Sequence, residues 1–272
     1  MRIINRKPSR GLALLLASLP FIALLIAYSI GSYHRLAINP VDKILPSLSQ
    51  MSAAMYEYAF VPEKRSGDYI LWSDTLISLW RLGVGLAISV AISLVIGVAA
   101  GFIPWIRAMF RPFIEAFSLI PPITVLPILF IIVGLDEASK ISLIVIGTAP
   151  LMIRAVALAV EEIPEEMLVK AQTLGASTWQ MVLRLVLPQA LPKLIIAARF
   201  SLIPAWIFLI SAEAIAATGG LGYRIFLVRR FLSMDVILPY VVWITLIAWL
   251  MDASLGALQR RAFPWFQPEK NQ

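Results

Sequence analysis

A chain of 272 residues that is 60% hydrophobic and only 14% charged, with a formal net charge of +7 and a mean hydropathy of +0.86, is not a water-soluble globule, whose charged share is roughly 25%. It reads as an integral membrane protein, and positive charge of that size suits contact with anionic membrane lipid without requiring nucleic acid. With no cysteine, one histidine (His34), and neither a GK[ST] tripeptide nor a GxSxG, the chain lacks disulfides, thiolate metal sites, a P-loop and a nucleophile elbow. No catalytic residue and no metal site is therefore assigned.

Residues 1–10 carry Arg2, Arg6, Lys7 and Arg10, whereas 11–33 carry no charge. A hydrocarbon core of about 30 Å needs about 20 such residues, so 11–34 reads as a first transmembrane helix, too long for a typical signal peptide and expected to be retained. The polar connection 35–75 has Ile44, Leu48, Met51 and Met55 at helical spacing, which predicts an amphipathic helix in the interface.

Residues 76–260 form the predicted core of the bundle. The second span, 82–106, is charge-free and holds Gly97 and Gly101 at the spacing that lets helices approach closely. Pro104, Arg107, Arg111 and Pro112 follow as a basic turn. A third span is predicted at 113–135, with Pro121, Pro122 and Pro127 inside it; such prolines are tolerated where protein or a water-filled path surrounds the helix. Asp136, Glu137 and Lys140 make a short loop. Further spans are predicted at 141–160, 194–218 and 236–259, with 219–235 joining the last two and 261–272 as a tail.

The loop 161–192 is the longest amphipathic piece of the chain. Pro164 can occupy a first helical turn, and Glu165 and Glu166 suit the positive end of its dipole. Gly175 follows Leu174 where a left-handed cap would fall, and Ser177 with Gln180 has capping-box spacing. Trp179, Val182, Leu183, Val186 and Leu187 then recur at helical spacing until Pro188, which is expected to stop the run. Helix, glycine turn, helix is the reading, with Trp179 and Leu183 expected to fasten the second helix to the bundle. A DNA-binding helix-turn-helix is disfavoured by the apolar spans on either side.

Six spans place both termini on one side. Arg2, Arg6, Lys7 and Arg10, then Arg107 and Arg111, then Arg260, Arg261 and Lys270 concentrate positive charge in short segments of that side, which predicts cytoplasmic termini. Arg224, Arg229 and Arg230 disagree, falling in the last outer loop. Within or beside the spans, Arg154 and Arg199 are expected to snorkel, Glu115 to sit at a helix start, and Asp252 to pair with a basic neighbour. Two readings compete for Glu213: a gate or pathway residue, or a structural partner for a basic group across the bundle. The outer arginines likewise read either as a docking surface or as interfacial anchors.

Aligned on Gly175, the loop resembles the cytoplasmic loop of permease subunits of bacterial ABC importers, whose pattern is Glu-Ala-Ala, three residues, Gly, nine residues, Ile, one residue, Leu-Pro. Ala171, Leu187 and Pro188 match, Leu185 takes the Ile position, and Val169 and Lys170 stand where the pattern has Glu-Ala; Glu165 or Glu166, one turn earlier, is the substitute carboxylate. LPSLSQ at 45–50, Asp74 to Arg81, SLIPPITVLPILFIIVGLDEASK at 118–140 and the Gly-Leu-Gly-Tyr at 220–223 are similar to the nitrate, sulfonate and taurine branch, and 227–246 to relatives linked with urea- or guanidine-type nitrogen. The resemblance implies the type I importer fold in a bacterial inner membrane: an all-α permease of six transmembrane helices acting as a homodimer. Two cytoplasmic ATPase subunits would bind the ATP, this chain needing no cofactor of its own, and a periplasmic or lipid-anchored solute-binding protein would deliver the solute. It implies ATPase coupling through Glu165, Glu166, Val169, Lys170, Ala171, Leu174, Gly175, Trp179, Leu187 and Pro188. Pro121, Pro122, Pro127 and Glu213 are the candidates for the pathway or gate, and the charge of Arg224, Arg229 and Arg230 suits docking of an acidic face on the binding protein or attraction of an anionic solute. A stand-alone carrier or channel would leave the glycine-turn helix pair without a purpose, and an intramembrane enzyme would lack a nucleophile and base.

Overall fold

The computed structural model describes residues 9–40, 42–64 and 67–266, and among them every regular element is helical. Two compact units divide the chain: Met1–Tyr69 with Val228–Val241, and Ile70–Leu227 with Val242–Gln272. The basic residues Arg2, Arg6 and Lys7 and the tail beyond 266 lie outside the described residues.

In the first unit α1 (Arg10–Ile38) is long and apolar enough to span a membrane, and none of its most apolar stretch is buried. The chain then folds back on the end of α1: Tyr28 Oη donates to the Pro46 carbonyl at 2.7 Å and Ser32 Oγ to the Leu45 carbonyl at 3.0 Å. The Ile44 N–H, 3.0 Å away, and Arg35 at 2.5 Å hold the Asp42 carboxyl below the usual carboxylate range. The expected interfacial helix is α2 (Leu48–Phe60), opened by a capping box of Ser47 and Gln50. Ile44 precedes it, because Pro46 disfavours helical backbone just before itself. The first turns of α11 (Met234–Ala262) also belong here, with Tyr240 edge-on to Tyr58 at 6.0 Å.

The second unit holds α3 (Ile70–Phe102), α4 (Pro104–Ser118), α5 (Pro122–Val133), α6 (Glu137–Glu161), α7 (Glu165–Thr173), α8 (Thr178–Met181), α9 (Leu187–Ala216), α10 (Leu221–Arg229, its last residues passing to the first unit) and the remainder of α11. Its spine is the seam between α3 and α6. Gly85, Ser89, Ser93, Gly97 and Gly101 recur every fourth residue, and along this stripe α6 runs parallel to α3. Ser89 and Thr148 share a hydroxyl hydrogen bond of 2.8 Å, and Ser93 donates to the Ala149 carbonyl at 3.2 Å. A Cβ on Gly97 would stand 2.7 Å from Val156 Cβ, and one on Gly101 2.6 Å from Val160 Cβ. The sequence pair Gly97 and Gly101 is thus the end of a five-residue small stripe, which brings backbones together as apolar burial cannot do in lipid. Around it Met152, Val156, Val160, Val186, Ala190 and Leu194 form a core that joins α6 to α9.

Three expectations change. The second span begins at Ile70, twelve residues before the charge-free run, because Asp74, Ser78 and Arg81 are buried inside the protein instead of facing lipid. The third span is not one helix: α4 and α5 meet at 97°, broken at Leu119 to Pro121, where two successive prolines cannot continue α4. Pro188 does not stop a helix either. The stretch Thr178–Ala216 is continuous over 39 residues, through a π turn at Val182–Val186 whose wider ring has the Leu187 N–H reach the Val182 carbonyl. Pro188 sits at the start of α9, where its missing N–H is tolerated. With the broken pair counted once, six stretches among the described residues are long and apolar enough to cross a membrane.

Candidate functional site

Candidate residues singled out from the sequence gather at two places, one at each end of the second unit. At one end α7 stands out: none of its nine residues is buried. Glu165 and Glu166 occupy its first turn, with Pro164 just before it. The glycine turn closes it as a Schellman motif. The Gly175 N–H bonds to the Gln172 carbonyl at 2.9 Å and the Ala176 N–H to the Ala171 carbonyl at 3.0 Å. Gly175 has φ +81° and open space where a Cβ would be. Ser177 and Gln180 then form a capping box that starts α8.

Val169 and Lys170 are exposed, Leu174 is 87% exposed and Trp179 68%. Trp179 and Leu183 therefore do not fasten the second helix to the bundle. Met181 and Val186 are the buried anchors, with Val182 and Leu185 packed beside them. The π turn shifts the phase of the helix, so the inward positions differ from those an uninterrupted 3.6-residue period marks. Leu187 and Pro188 lie half-buried just beyond this turn, and Leu168 and Ala171 form the half-buried underside of α7.

At the other end Glu213 of α9 is 0% exposed and Arg81 of α3 is 3% exposed. Arg81 Nη1 donates to Glu213 Oε1 at 2.7 Å and to the Gly219 carbonyl at 2.8 Å. Its Nε and Nη2 make a two-pronged contact with Glu137 at 2.5 and 2.7 Å. Ser78 Oγ donates to Glu213 Oε1 at 2.8 Å. Side chains receive three successive backbone N–H groups of the glycine-rich turn: Gly220 donates to Asp74 Oδ1 at 3.0 Å, Leu221 to Ser78 Oγ at 2.8 Å, and Gly222 to Glu213 Oε2 at 2.8 Å. The first turn of α10 thereby meets two carboxylates, the charge its dipole favours. Gly220 has φ +118°, and a Cβ there would come within 2.5 Å of the Glu213 carboxylate. This turn is shaped around that side chain.

Arg224 belongs to the same cluster, its Nε 2.8 Å from Asp74 Oδ2, whereas Arg229 and Arg230 are exposed. Pro121 and Pro122 stand at the start of α5 and Pro127 inside it; Pro121 and Pro127 are exposed. Arg81, Ser78 and Asp74 were missed as partners by the sequence reading, although their spacing of four and three puts them on one helical face. Arg199 does not snorkel: it pairs with both oxygens of Asp252 at 2.7 and 2.8 Å. Glu115 lies in the last turn of α4, not at a helix start, and pairs with Arg111 at 3.0 Å.

Residues 89–267 match the family described as "Binding-protein-dependent transport system inner membrane component". The chain is 38% identical over 73% of its length to the taurine transport system permease protein TauC of Escherichia coli, covering 72% of that protein. It is 32% identical to the putative aliphatic sulfonates transport permease protein SsuC of the same organism, over 82% of each chain. A solved bacterial alginate ABC transporter, in complex with a periplasmic protein bound to an alginate pentasaccharide, superposes with a TM-score of 0.62 at 15% identity, over 94% of this chain and 99% of that one. The fold is thus that of type I importer permeases. The chain belongs to the inner-membrane permease family of binding-protein-dependent ABC transport systems, in the branch that includes the taurine and aliphatic sulfonate permeases.

Proposed function

We propose that this permease acts as a homodimer with two cytoplasmic ATPase subunits and an external solute-binding protein, and that it admits a small sulfonate such as taurine or an alkanesulfonate. The names of its relatives support the solute class. What carries the coupling role is α7, a helix closed by a glycine cap at its C-terminus, with no residue buried in its own chain. In this reading its exposed apolar side chains, Val169 and Leu174, together with Trp179 of α8, dock on the ATPase. Glu165 and Glu166 supply the carboxylate that the family pattern has at Val169. ATP bound by the partner subunits closes the ATPase pair, and the two coupling segments move with it. The termini and α7 then face the cytoplasm.

A stiff, capped helix transmits displacement that a floppy loop would absorb. From α8 the helix is continuous to Ala216, so a push at Thr178 reaches the neighbourhood of Glu213, passing the π turn and the in-helix prolines Pro192 and Pro204 on the way. Differential docking in the two nucleotide states biases the bundle between inward- and outward-facing forms.

Gly175→Pro tests this. In proteoliposomes with the ATPase and a taurine-loaded binding protein, uptake should fall at least about tenfold, because proline fixes φ near −65° where the turn has +81°. The permease should still fold, since nothing packs on Gly175. Gly175→Ala, straining one left-handed residue by roughly 1–2 kcal/mol, should keep more of the activity. Undiminished uptake by the proline variant would refute the coupling role.

A further inference from the structure

Two adjoining cavities lie between α4 and α6. The first, about 70 Å³, is lined by Arg107, Arg111, Arg154, Glu115 and Glu161 beside Ile114. The second, about 180 Å³, shares Ile114 and is walled only by apolar side chains, among them Phe113, Phe117, Ile146 and Ile153. Charge does not balance in the first. Arg107 is held by Glu161 at 3.1 Å and by the Ala100 and Gly101 carbonyls. Arg111 is held by Glu115. Arg154 is exposed and has neither an ion pair nor a hydrogen bond among the described residues. One cation therefore remains uncompensated.

The order along the helices gives the site a direction. Arg107 lies one turn into α4 and Glu161 ends α6, so the charged cavity opens at the α7 end of the unit. Ile114, Phe117, Ile153 and Ile146 follow successively deeper along the same two helices. A ligand filling both spaces has its anion at that end and its apolar part toward the middle of the spans. A phospholipid in the leaflet on the α7 side has this orientation, and Arg154, lining the charged cavity one residue from Ile153 of the apolar one, complements an anionic phosphate.

We propose that the groove between α4 and α6 holds one anionic phospholipid, its phosphate on Arg154 with Arg111 beside it and an acyl chain against Phe113, Phe117 and Ile153. Direct mass measurement of the full chain released from detergent, after incubation with phosphatidylglycerol or phosphatidylcholine of identical chains, tests it. Wild type should retain one phosphatidylglycerol in preference to phosphatidylcholine. Arg154→Ala should lower that retention about fivefold, the weight of one cation beside an anionic surface, and leave phosphatidylcholine unchanged. Arg154→Lys should restore most of it, and Phe117→Ala should weaken it with the melting temperature held. Equal retention of the two lipids, or an Arg154→Ala variant that binds like wild type, would overturn the proposal. Two further outcomes would also overturn it: displacement of the lipid by octanesulfonate would make the groove a solute site, and spontaneous disulfide dimers of Phe113→Cys, the only thiol in the chain, would place a second copy there.

Discussion

Arg81→Met should destabilise the permease by about 3–5 kcal/mol, the usual consequence of leaving a buried charge without its partner. Glu213 is fully buried, and without Arg81 it keeps only the Ser78 hydroxyl and the Gly222 N–H. The contact with Glu137 is the lesser loss, because that carboxylate is 55% exposed and its pairing is screened by water. Arg81→Met combined with Glu213→Leu should be less damaging than Arg81→Met alone, since an apolar pair of similar size removes both charges together. Thermal unfolding in detergent, followed by the fraction that elutes monodisperse, measures both variants. A purely gating Glu213 gives another pattern: folding unchanged in every variant and transport altered in each. If Arg81→Met melts with wild type, Glu213 is not held as its geometry suggests.

The second large effect is expected on the seam between α3 and α6. Gly101→Leu places a Cβ 2.6 Å from Val160 Cβ and 2.7 Å from the Ala157 carbonyl oxygen, before the rest of the side chain is considered. A backbone oxygen within a helix cannot swing aside, so the helices must separate. Overpacking of this kind costs typically about 1–3 kcal/mol, and separation also loosens the Ser89–Thr148 and Ser93–Ala149 hydrogen bonds up the stripe. Gly83→Leu is the matched control on the same helix, because nothing lies within 4 Å of a Cβ there. The melting temperature should fall clearly for Gly101→Leu and stay near wild type for Gly83→Leu. Equal behaviour of the two would mean that the stripe is not a packing surface.

Both arguments rest on residues whose meaning the sequence showed only in part. Gly97 and Gly101 were legible as a close-packing pair, but Gly85, Ser89 and Ser93 became part of it only when α6 was seen to run along them. Glu213 was legible as an anomaly, an acid within an apolar run, and both of its roles stayed open. Arg81 could not be assigned to it, since 132 positions separate them and a single sequence carries no sign of which distant charges meet. Trp179 shows a different failure. Its helical spacing was real, yet a π turn beginning three residues on changed which side faces the bundle.

Local chemistry was legible in the order of the amino acids: that the chain lives in lipid, roughly which apolar runs supply its spans, and that the 163–192 loop is two helices hinged at Gly175. Runs of apolar residues, capping boxes and a glycine at a left-handed position act over a few residues, so their outcome is written in the order of the amino acids. Packing between helices settled how Arg81, Glu137, Glu213 and the Gly219 to Tyr223 turn lock together, how α4 breaks from α5, and that Arg154 of α6 has no ion pair among the described residues. Those outcomes come from pairing between helices far apart in the chain, where the low dielectric between packed helices makes an ion pair strong and its loss expensive.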